Sequence, residues 1–212
     1  MTASATLVTP VSDDAQLLHA WKAGDNASGS ELFRRHFTAV RRFFANKVNA
    51  DEVEDLIQRT FTGCVEGVDR FRGDSSFRTF LFAIARRQLY KFLRDTRSRD
   101  DRVDPDLSAS SVAALGRSPT SIIAAREEEA ILVRALQDVS VEHQVMLELH
   151  YWEQLPNEQI AEVFDISPTT VRTRLFRARK ALQEKIDAEL EARGKPPGSV
   201  DVDTTAAAIK TS

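Results

Sequence analysis

The stretch LPNEQIAEVFDISPTTVRTRLFRARKAL, residues Leu155 to Leu182, predicts two short helices joined by a tight turn. Apolar residues recur at helical spacing on both sides of the turn (Ile160, Ala161 and Phe164, then Val171 and Leu175). Small Ala161 permits two helices to approach closely. The pattern therefore predicts a helix-turn-helix.

The ends of these two helices carry recognisable signals. Asn157 can cap the first helix through its side-chain oxygen, and Ser167 is a good cap for the second. Pro168 then occupies the first helical position, where a missing N–H costs nothing. Asp165 stands where glycine is common in such turns, and Asp tolerates the left-handed conformation better than most residues.

The second helix presents hydroxyl and guanidinium groups on its outer face, near its N-terminus. These groups suit base edges in the major groove and the flanking phosphates. The alternative is a helical hairpin with a solvated basic face. The candidate DNA-binding residues are Ser167, Thr169, Thr170, Arg172, Thr173, Arg174 and Arg177.

Charge is unevenly distributed, although the net charge of the chain is −3. Arg78 to Arg99 holds seven basic residues and one acid, and Asp165 to Lys180 holds five basic residues and one acid. Affinity for a duplex follows local basic patches rather than total charge. The sequence therefore predicts two nucleic-acid-binding surfaces, one in each half.

The remaining patterns predict an all-α fold of two small domains. Four helical stretches between residues 13 and 95 form an N-terminal bundle, in which Phe33, Phe37, Val40, Phe44 and Val48 mark one inner face. Residues 96–121 lack an apolar period and are predicted to be a flexible linker. Helical signals return over residues 122–190. Residues 1–12 and 191–212 are predicted to be flexible ends.

Several functional classes are disfavoured by composition. Cys64, the single cysteine, can form no internal disulfide and is predicted to be a small buried hydrophobe. The four histidines are scattered without metal-ligand spacing, and the sequence contains no nucleophile elbow or phosphate loop. No apolar run approaches a membrane span, and no signal peptide is apparent. We therefore expect a cytoplasmic protein without a metal, cofactor or catalytic activity.

The N-terminal half resembles region 2 of bacterial sigma factors of the extracytoplasmic-function type. The resemblance rests on Asp55-Leu-Ile-Gln58-x-x-Phe61, Asp69-Arg-Phe-Arg-Gly-Asp74 and Phe77-x-Thr-Phe-Leu-Phe-Ala-Ile-Ala85. The segment Thr170-Val-Arg-Thr-Arg-Leu-Phe-Arg-Ala-Arg179 is similar to region 4.2 of the same family. Two motifs in the right order are more specific than either alone. The chain departs from the family pattern at Val65, Phe80, Ala83 and Arg87.

The resemblance implies roles for three surfaces. The helix with Asp55, Gln58 and Phe61 would dock on the clamp helices of the largest polymerase subunit, although Phe61 can equally be core. The loop after Asp69 would capture a flipped base of the −10 element, and the next helix would bind the single strand. The implied −10 residues are Arg72, Asp74, Ser75, Ser76, Arg86, Arg87, Lys91 and Arg94. Of the aromatic residues, Phe82 and Tyr90 would lie nearer DNA than Phe80 and Phe92.

The function implied is that of a sigma factor, which binds core RNA polymerase, directs it to −35 and −10 elements and promotes melting. The expected partners are the clamp helices, the flap of the second-largest subunit and promoter DNA. An anti-sigma factor is a further candidate partner. The alternative is a helix-turn-helix regulator that does not replace sigma, and such a protein would have no use for the Asp55-Gln58-Phe61 surface. An enzyme is the remote third possibility.

Overall fold

The computed structural model describes residues 13–101, 106–115 and 127–209, with side chains for 13–96, 106–115 and 127–206. In these ranges the regular elements are helices, together with one isolated β-bridge between Ser111 and Ser140. The all-α prediction is confirmed. The predictions for residues 1–12 and for a helix start at Ile122 lie outside the described residues. The α-helices are α1 (Asp14–Lys22), α2 (Asn26–Ala45), α3 (Ala50–Gly67), α4 (Phe77–Asp101), α5 (Glu127–Asp138), α6 (Val141–Tyr151), α7 (Asn157–Phe164), α8 (Pro168–Ala192) and α9 (Val202–Ile209).

Helices α1 to α4 form an N-terminal bundle around an apolar interior. Its fully buried side chains include Leu32, Phe44, Leu56 and Leu81. The predicted inner face of α2 was wrong at one position, because Phe37 is 45% exposed. The buried stripe of α2 runs through Leu32, Val40, Phe43 and Phe44 instead, and this leaves Phe37 on the side that borders α3.

Two glycines allow α3 and α4 to approach closely. A Cβ atom on Gly63 would lie 2.9 Å from Cγ2 of Ile84, and one on Gly67 would lie 3.1 Å from the Phe80 ring. Glycine weakens a helix interior by about 1 kcal/mol relative to alanine. The close packing of α3 against α4 explains why glycine is nevertheless used at these positions.

The helix-turn-helix is formed by α7 and α8, as predicted. Asp165 ends α7 in the left-handed conformation, with φ 56° and ψ 50°. Ser167 caps α8 by accepting a hydrogen bond from the Thr170 amide, and Pro168 is the first helical residue. The predicted cap of α7 was wrong. Pro156 is the cap residue and Asn157 lies inside the helix, because the Pro156 carbonyl already accepts from the Ile160 amide at 3.0 Å.

The segments predicted to be flexible contain ordered structure. Residues 106–115 pack against the start of α6, where Leu107 and Val112 are buried and the Ser110 carbonyl accepts from the Val141 amide. At the C-terminus, α9 packs on the helices of the C-terminal half, and Val200, Val202 and Ala206 are buried. An eight-residue helix has little stability in isolation, so α9 depends on this packing.

The N-terminal bundle and the C-terminal half of the chain pack against each other, and we call this the closed arrangement. One apolar cluster continues from the N-terminal bundle into the second half, where it includes Met146, Leu149, Ile160 and Phe164. A second cluster joins α5, the distal part of α8 and α9. The helix-turn-helix therefore packs against the N-terminal bundle and shares an apolar core with it.

Cys64 is fully buried on α3, as predicted. Burial raises the pKa of its thiol to about 12, so the thiol stays protonated near neutral pH. Within the described ranges, no three His, Cys, Asp or Glu side chains are grouped as metal ligands would be. The helices described there also include none that is long and apolar enough to cross a membrane.

Candidate nucleic-acid interface

The exposed face of α8 carries most of the predicted −35 residues. Val171 and Leu175 are buried, and this orientation exposes Thr169, Arg172, Thr173 and Arg177 together with the cap residue Ser167. Two residues are engaged within the protein. Arg174 donates to Glu142 on α6 at 2.6 Å, and the Thr170 hydroxyl lies 2.8 Å from Ser167 Oγ. Arg172 and Arg177 are therefore the more available guanidinium groups of this face.

The loop between α3 and α4 is exposed at its tip and fixed at its base. Arg72, Gly73 and Asp74 are exposed, and Gly73 has φ +84°. At the base, the Phe71 ring stacks on Phe80 at 4.6 Å, and Lys22 donates to the Phe71 carbonyl at 2.6 Å. The predicted base-capturing loop is thus presented to solvent on a rigid support.

Ser75 and Ser76 end this loop and are half-buried. The Ser76 hydroxyl caps the first turn of α4 by accepting from the Thr79 amide at 3.1 Å. It also donates to the side-chain oxygen of Gln159 on α7 at 3.3 Å, and the Thr79 hydroxyl donates to the same oxygen at 3.0 Å. Ser76 is therefore covered by the helix-turn-helix in this structure.

The predicted basic face of α4 is divided between solvent and protein. Arg87, Lys91 and Arg94 are exposed, as a surface for nucleic acid requires. Arg86 is not: its guanidinium lies 4.4 Å from the ring centres of both Tyr90 and Phe164. Its Nε atom is buried and has no hydrogen-bond partner among the described residues. Arg86 thus joins α4 to α7 and is half-buried between them.

The placement of two aromatic residues near DNA is also corrected. Phe82 is fully buried and meets Phe43 edge to face at 5.6 Å between ring centres. Tyr90 is half-buried beneath Arg86, and its hydroxyl is enclosed without a hydrogen-bond partner in the described residues. Both side chains belong to the packed interior of the closed arrangement, because α4 presents this face to α2 and α7.

A buried ion pair joins the two halves. Lys47, which follows α2, contacts the Glu148 carboxylate on α6, and both side chains are almost completely buried. Lys47 also donates to the Phe43 carbonyl at 2.6 Å, and Gln144 donates to Glu148 at 3.0 Å. Burial raises the pKa of Glu148 and lowers the pKa of Lys47, and in each case the charge of the other opposes the shift. Each charge therefore depends on the other half of the chain.

Glu153 forms a second ionic link between the halves. Its carboxylate is 3% exposed and accepts from Arg42 on α2 at 2.5 Å and from Arg78 on α4. Helical periodicity alone does not identify Lys47, Glu148 and Glu153 as buried charges. The sequence does contain one indication of a buried charge, because Glu148 interrupts the apolar run Val145-Met-Leu-Glu-Leu149. A charge in such a run needs a buried partner.

The predicted polymerase-binding residues border an open groove between α2 and α3. Gln58 and Phe61 line it, together with Phe37 and Val65, which are 45% and 53% exposed. Phe61 is half-buried and stacks on Phe33 at 4.5 Å, so it is both packed and accessible from the groove. Asp55 is exposed outside the groove lining and pairs with Arg59 at 2.7 Å.

Comparison with known proteins identifies the same two regions. The family model described as sigma-70 region 2 matches residues 32–99, and the model described as sigma-70, region 4, matches residues 126–182. The chain is 27% identical over 179 residues to the ECF RNA polymerase sigma-E factors of Salmonella typhimurium and Escherichia coli K12. The aligned residues cover 82% of this chain and 94% of each relative. The Haemophilus influenzae factor of the same name is also 27% identical.

Two solved structures share the fold. CnrH in complex with the cytosolic domain of CnrY has a TM-score of 0.59 at 21% identity, covering 83% of this chain and 98% of that chain. The sigma factor RpoE in complex with the anti-sigma factor NepR from Bartonella quintana has a TM-score of 0.58 at 23% identity, covering 74% and 95%.

The ionic link at Glu153 can be tested by Glu153→Ala. The change leaves Arg42 and Arg78 without their shared carboxylate, but both are partly exposed and can be hydrated when the halves separate. We expect the closed form to lose about 1.5–3 kcal/mol, as for hydrogen bonds to charged groups. The radius of gyration in small-angle X-ray scattering should rise above the value of about 17 Å expected for a compact chain of 212 residues.

Glu158→Ala is the matched control, because Glu158 lies nearby on α7 but is exposed. It should leave the radius of gyration unchanged. Equal scattering curves for both variants and the unmodified chain would show that Glu153 does not hold the halves together.

Proposed function

The chain belongs to the sigma-70 family, in the extracytoplasmic-function group, and from this membership we propose how its surfaces divide the work of a sigma factor. The region 4 match contains the exposed face of α8, and the region 2 match contains the loop after Asp69 and the basic face of α4. We assign −35 recognition to α8. We assign −10 recognition and melting to the loop and to α4.

The observation that carries this proposal is the exposed face of α8 together with the groove at Gln58 and Phe61. A regulator that does not replace sigma needs the first surface but has no use for the second. The groove offers apolar area from Phe37 and Val65 beside the Gln58 amide, as docking of a partner helix requires. The proposed occupant is the clamp-helix segment of core RNA polymerase.

The chain would act by binding, without catalysis of its own, in the cytoplasm where core polymerase and promoter DNA are found. In the −10 region, Arg72 and Asp74 at the loop tip would contact the extruded base. Arg87, Lys91 and Arg94 would hold the single strand by its phosphates. An anti-sigma factor remains a proposed further partner, supported by the structural likeness to one sigma factor that was solved in complex with an anti-sigma factor.

The closed arrangement must open for both promoter elements to be contacted at once. Elements centred at −35 and −10 are separated by about 25 base pairs, or about 85 Å at about 3.4 Å per base pair. A compact chain of 212 residues, with a radius of gyration of about 17 Å, spans about half that distance. Opening would break the contacts at Glu148 and Glu153 and would free Ser76 and Arg86 for the −10 strand.

Reconstituted transcription tests the function itself. Core RNA polymerase supplemented with this chain should start transcripts from a subset of promoters in a pool of genomic DNA, whereas core polymerase alone should not. Sequencing of the transcript 5′ ends measures this and gives both promoter elements. Failure to start any transcript from the pool would favour the alternative of a regulator that acts with another sigma factor.

Gln58→Ala tests the docking groove. Gln58 is exposed, so its loss should leave the fold intact while it weakens binding to core polymerase by about 1–2 kcal/mol. Titration of core polymerase with fluorescently labelled chain measures the change. Glu66→Ala removes an exposed side chain of α3 outside the groove lining and should bind normally. Normal assembly by Gln58→Ala would contradict the assigned surface.

Arg172→Ala tests the −35 surface. Arg172 is exposed on α8, so its replacement should weaken binding of the holoenzyme to −35 DNA by roughly 1–3 kcal/mol if the guanidinium reads a base. Lys185→Ala removes an exposed positive charge about 20 Å farther along the helix, at about 1.5 Å per residue, and is the control. If footprints and affinities are the same for both variants, the assigned face of α8 is wrong.

A further inference from the structure

Residues 106–115, which we call the strap, bind the first turn of α6. The Leu107 carbonyl accepts a hydrogen bond from the Glu142 amide at 3.1 Å, and the Ser110 carbonyl accepts one from the Val141 amide at 3.0 Å. Amides in the first turn of a helix have no partner inside the helix, so they need acceptors from elsewhere. The strap therefore supplies two acceptors that α6 itself cannot provide.

Apolar contacts and one further hydrogen bond complete the attachment of the strap. Leu107 is 7% exposed and Val112 is fully buried, and both belong to the apolar cluster that the two halves share. The Ala113 amide donates to the Gln137 carbonyl, near the end of α5, at 3.2 Å. The strap is thus held in the corner between α5 and α6, as a part of the C-terminal half.

This attachment leaves only a short tether to the N-terminal bundle. Helix α4 ends at Asp101, and Asp106 follows five residues later, so the tether spans at most about 18 Å. Without the strap contacts, the next fixed point would be the start of α5 at Glu127, which is 26 residues beyond Asp101. A tether of that length could span up to about 90 Å.

The docked strap limits the distance between the two proposed DNA-binding surfaces. From Phe77, beside the −10 loop, α4 continues for 24 residues to Asp101, or about 36 Å at about 1.5 Å per residue. With the short tether, a straight chain reaches about 54 Å. Little is added beyond the strap, because Glu142, which binds Leu107, also accepts from Arg174 on α8 at 2.6 Å. The strapped chain therefore falls short of the distance of about 85 Å between the promoter elements.

The strap can leave α6 without removing the cap of that helix. The Ser140 hydroxyl accepts from the His143 amide at 3.2 Å, and this contact does not involve the strap. The amides that the strap releases would be hydrated, and only Leu107 and Val112 of the strap would lose nearly complete burial. A segment that is held by so few buried side chains can exchange between docked and free states.

We propose that the strap is a latch on the opening of the chain, and that its release from α6 is a required step before both promoter elements are contacted. Release lengthens the tether about fivefold. The limit on separation follows from the strap contacts alone, whereas the need for release at a promoter rests on the proposed function. Opening would thus require two separate events, which are the parting of the two halves and the release of the strap.

A disulfide between the strap and the start of α6 tests the latch within one protein. Ser111 and Ser140 form an antiparallel β-bridge, and the Cα atoms of such partners lie about 4.5–5.5 Å apart, which a disulfide can span. In the Ser111→Cys/Ser140→Cys chain, oxidation should hold the strap on α6, and reduction should allow its release. Cys64 does not compete, because burial raises the pKa of its thiol to about 12. The two single variants cannot form this disulfide and are the controls.

Reconstituted transcription gives the functional result. With core RNA polymerase, the oxidised double variant should start fewer transcripts from two-element promoters than the same protein after reduction. The fractional loss should equal the crosslinked fraction measured by thiol titration. Equal yields at complete crosslinking would overturn the proposal. If neither the reduced protein nor the unmodified chain starts a transcript, the proposed function fails instead, and the scattering of the chain alone still tests the latch.

Release of the strap by substitution tests the latch without polymerase. Val112→Asp places a charge in a fully buried site, so the strap should detach and the Val141 and Glu142 amides should exchange faster with solvent. Ala109→Asp adds the same charge at an exposed position of the strap and is the control. Combined with Glu153→Ala, which should separate the halves, Val112→Asp should give a larger radius of gyration in small-angle X-ray scattering than the oxidised disulfide does. Equal radii, or amide exchange that does not respond to Val112→Asp, would contradict the latch.

Discussion

The closed arrangement depends on the buried pair of Lys47 and Glu148. A charge that is removed from water costs several kcal/mol even after relaxation, and it is tolerated only when an opposite charge and further hydrogen bonds compensate. Here the compensation crosses the boundary between the halves, because Lys47 follows α2 and Glu148 lies on α6. The halves can therefore meet in one register only, since a shift of one helical turn would leave both charges buried and unpaired.

The same pair also limits how strongly the halves are held. The Coulombic attraction of a buried pair is largely offset by its desolvation, so such a pair specifies a geometry better than it stabilises one. When the halves separate, Lys47, Glu148 and Glu153 all regain water. The ionic part of the joint is therefore specific in register but adds little net free energy, and the shared apolar cluster supplies most of what opening has to overcome.

Sequence reasoning succeeded where a feature depends on neighbouring residues, and it failed where a feature depends on residues far away in the chain. The cap at Ser167, the left-handed Asp165 and the buried Val171 are decided within a few residues, and all three were predicted correctly. Arg86 and Phe82 could not be placed, because their surroundings come from α7 and α2, far away in sequence. The periodicity of α4 shows that one face is apolar, but it does not show that a second domain covers part of the polar face. For α9, the sequence Val202-Asp-Thr-Thr-Ala-Ala-Ala-Ile209 has too little intrinsic helicity to be distinguished from a tail.

The boundary between the two halves and the surface beneath α9 belong to different apolar clusters. Opening of the halves disrupts the cluster that contains Phe164 and Met146, whereas release of α9 affects the cluster that contains Leu182 and Val202. Trp152 lies at the boundary, because α9 covers its ring on one side and Arg42 of the N-terminal bundle lies 5.9 Å from its centre. Since Glu153, the next residue, binds Arg42 as well, the two clusters meet beside the ionic link between the halves.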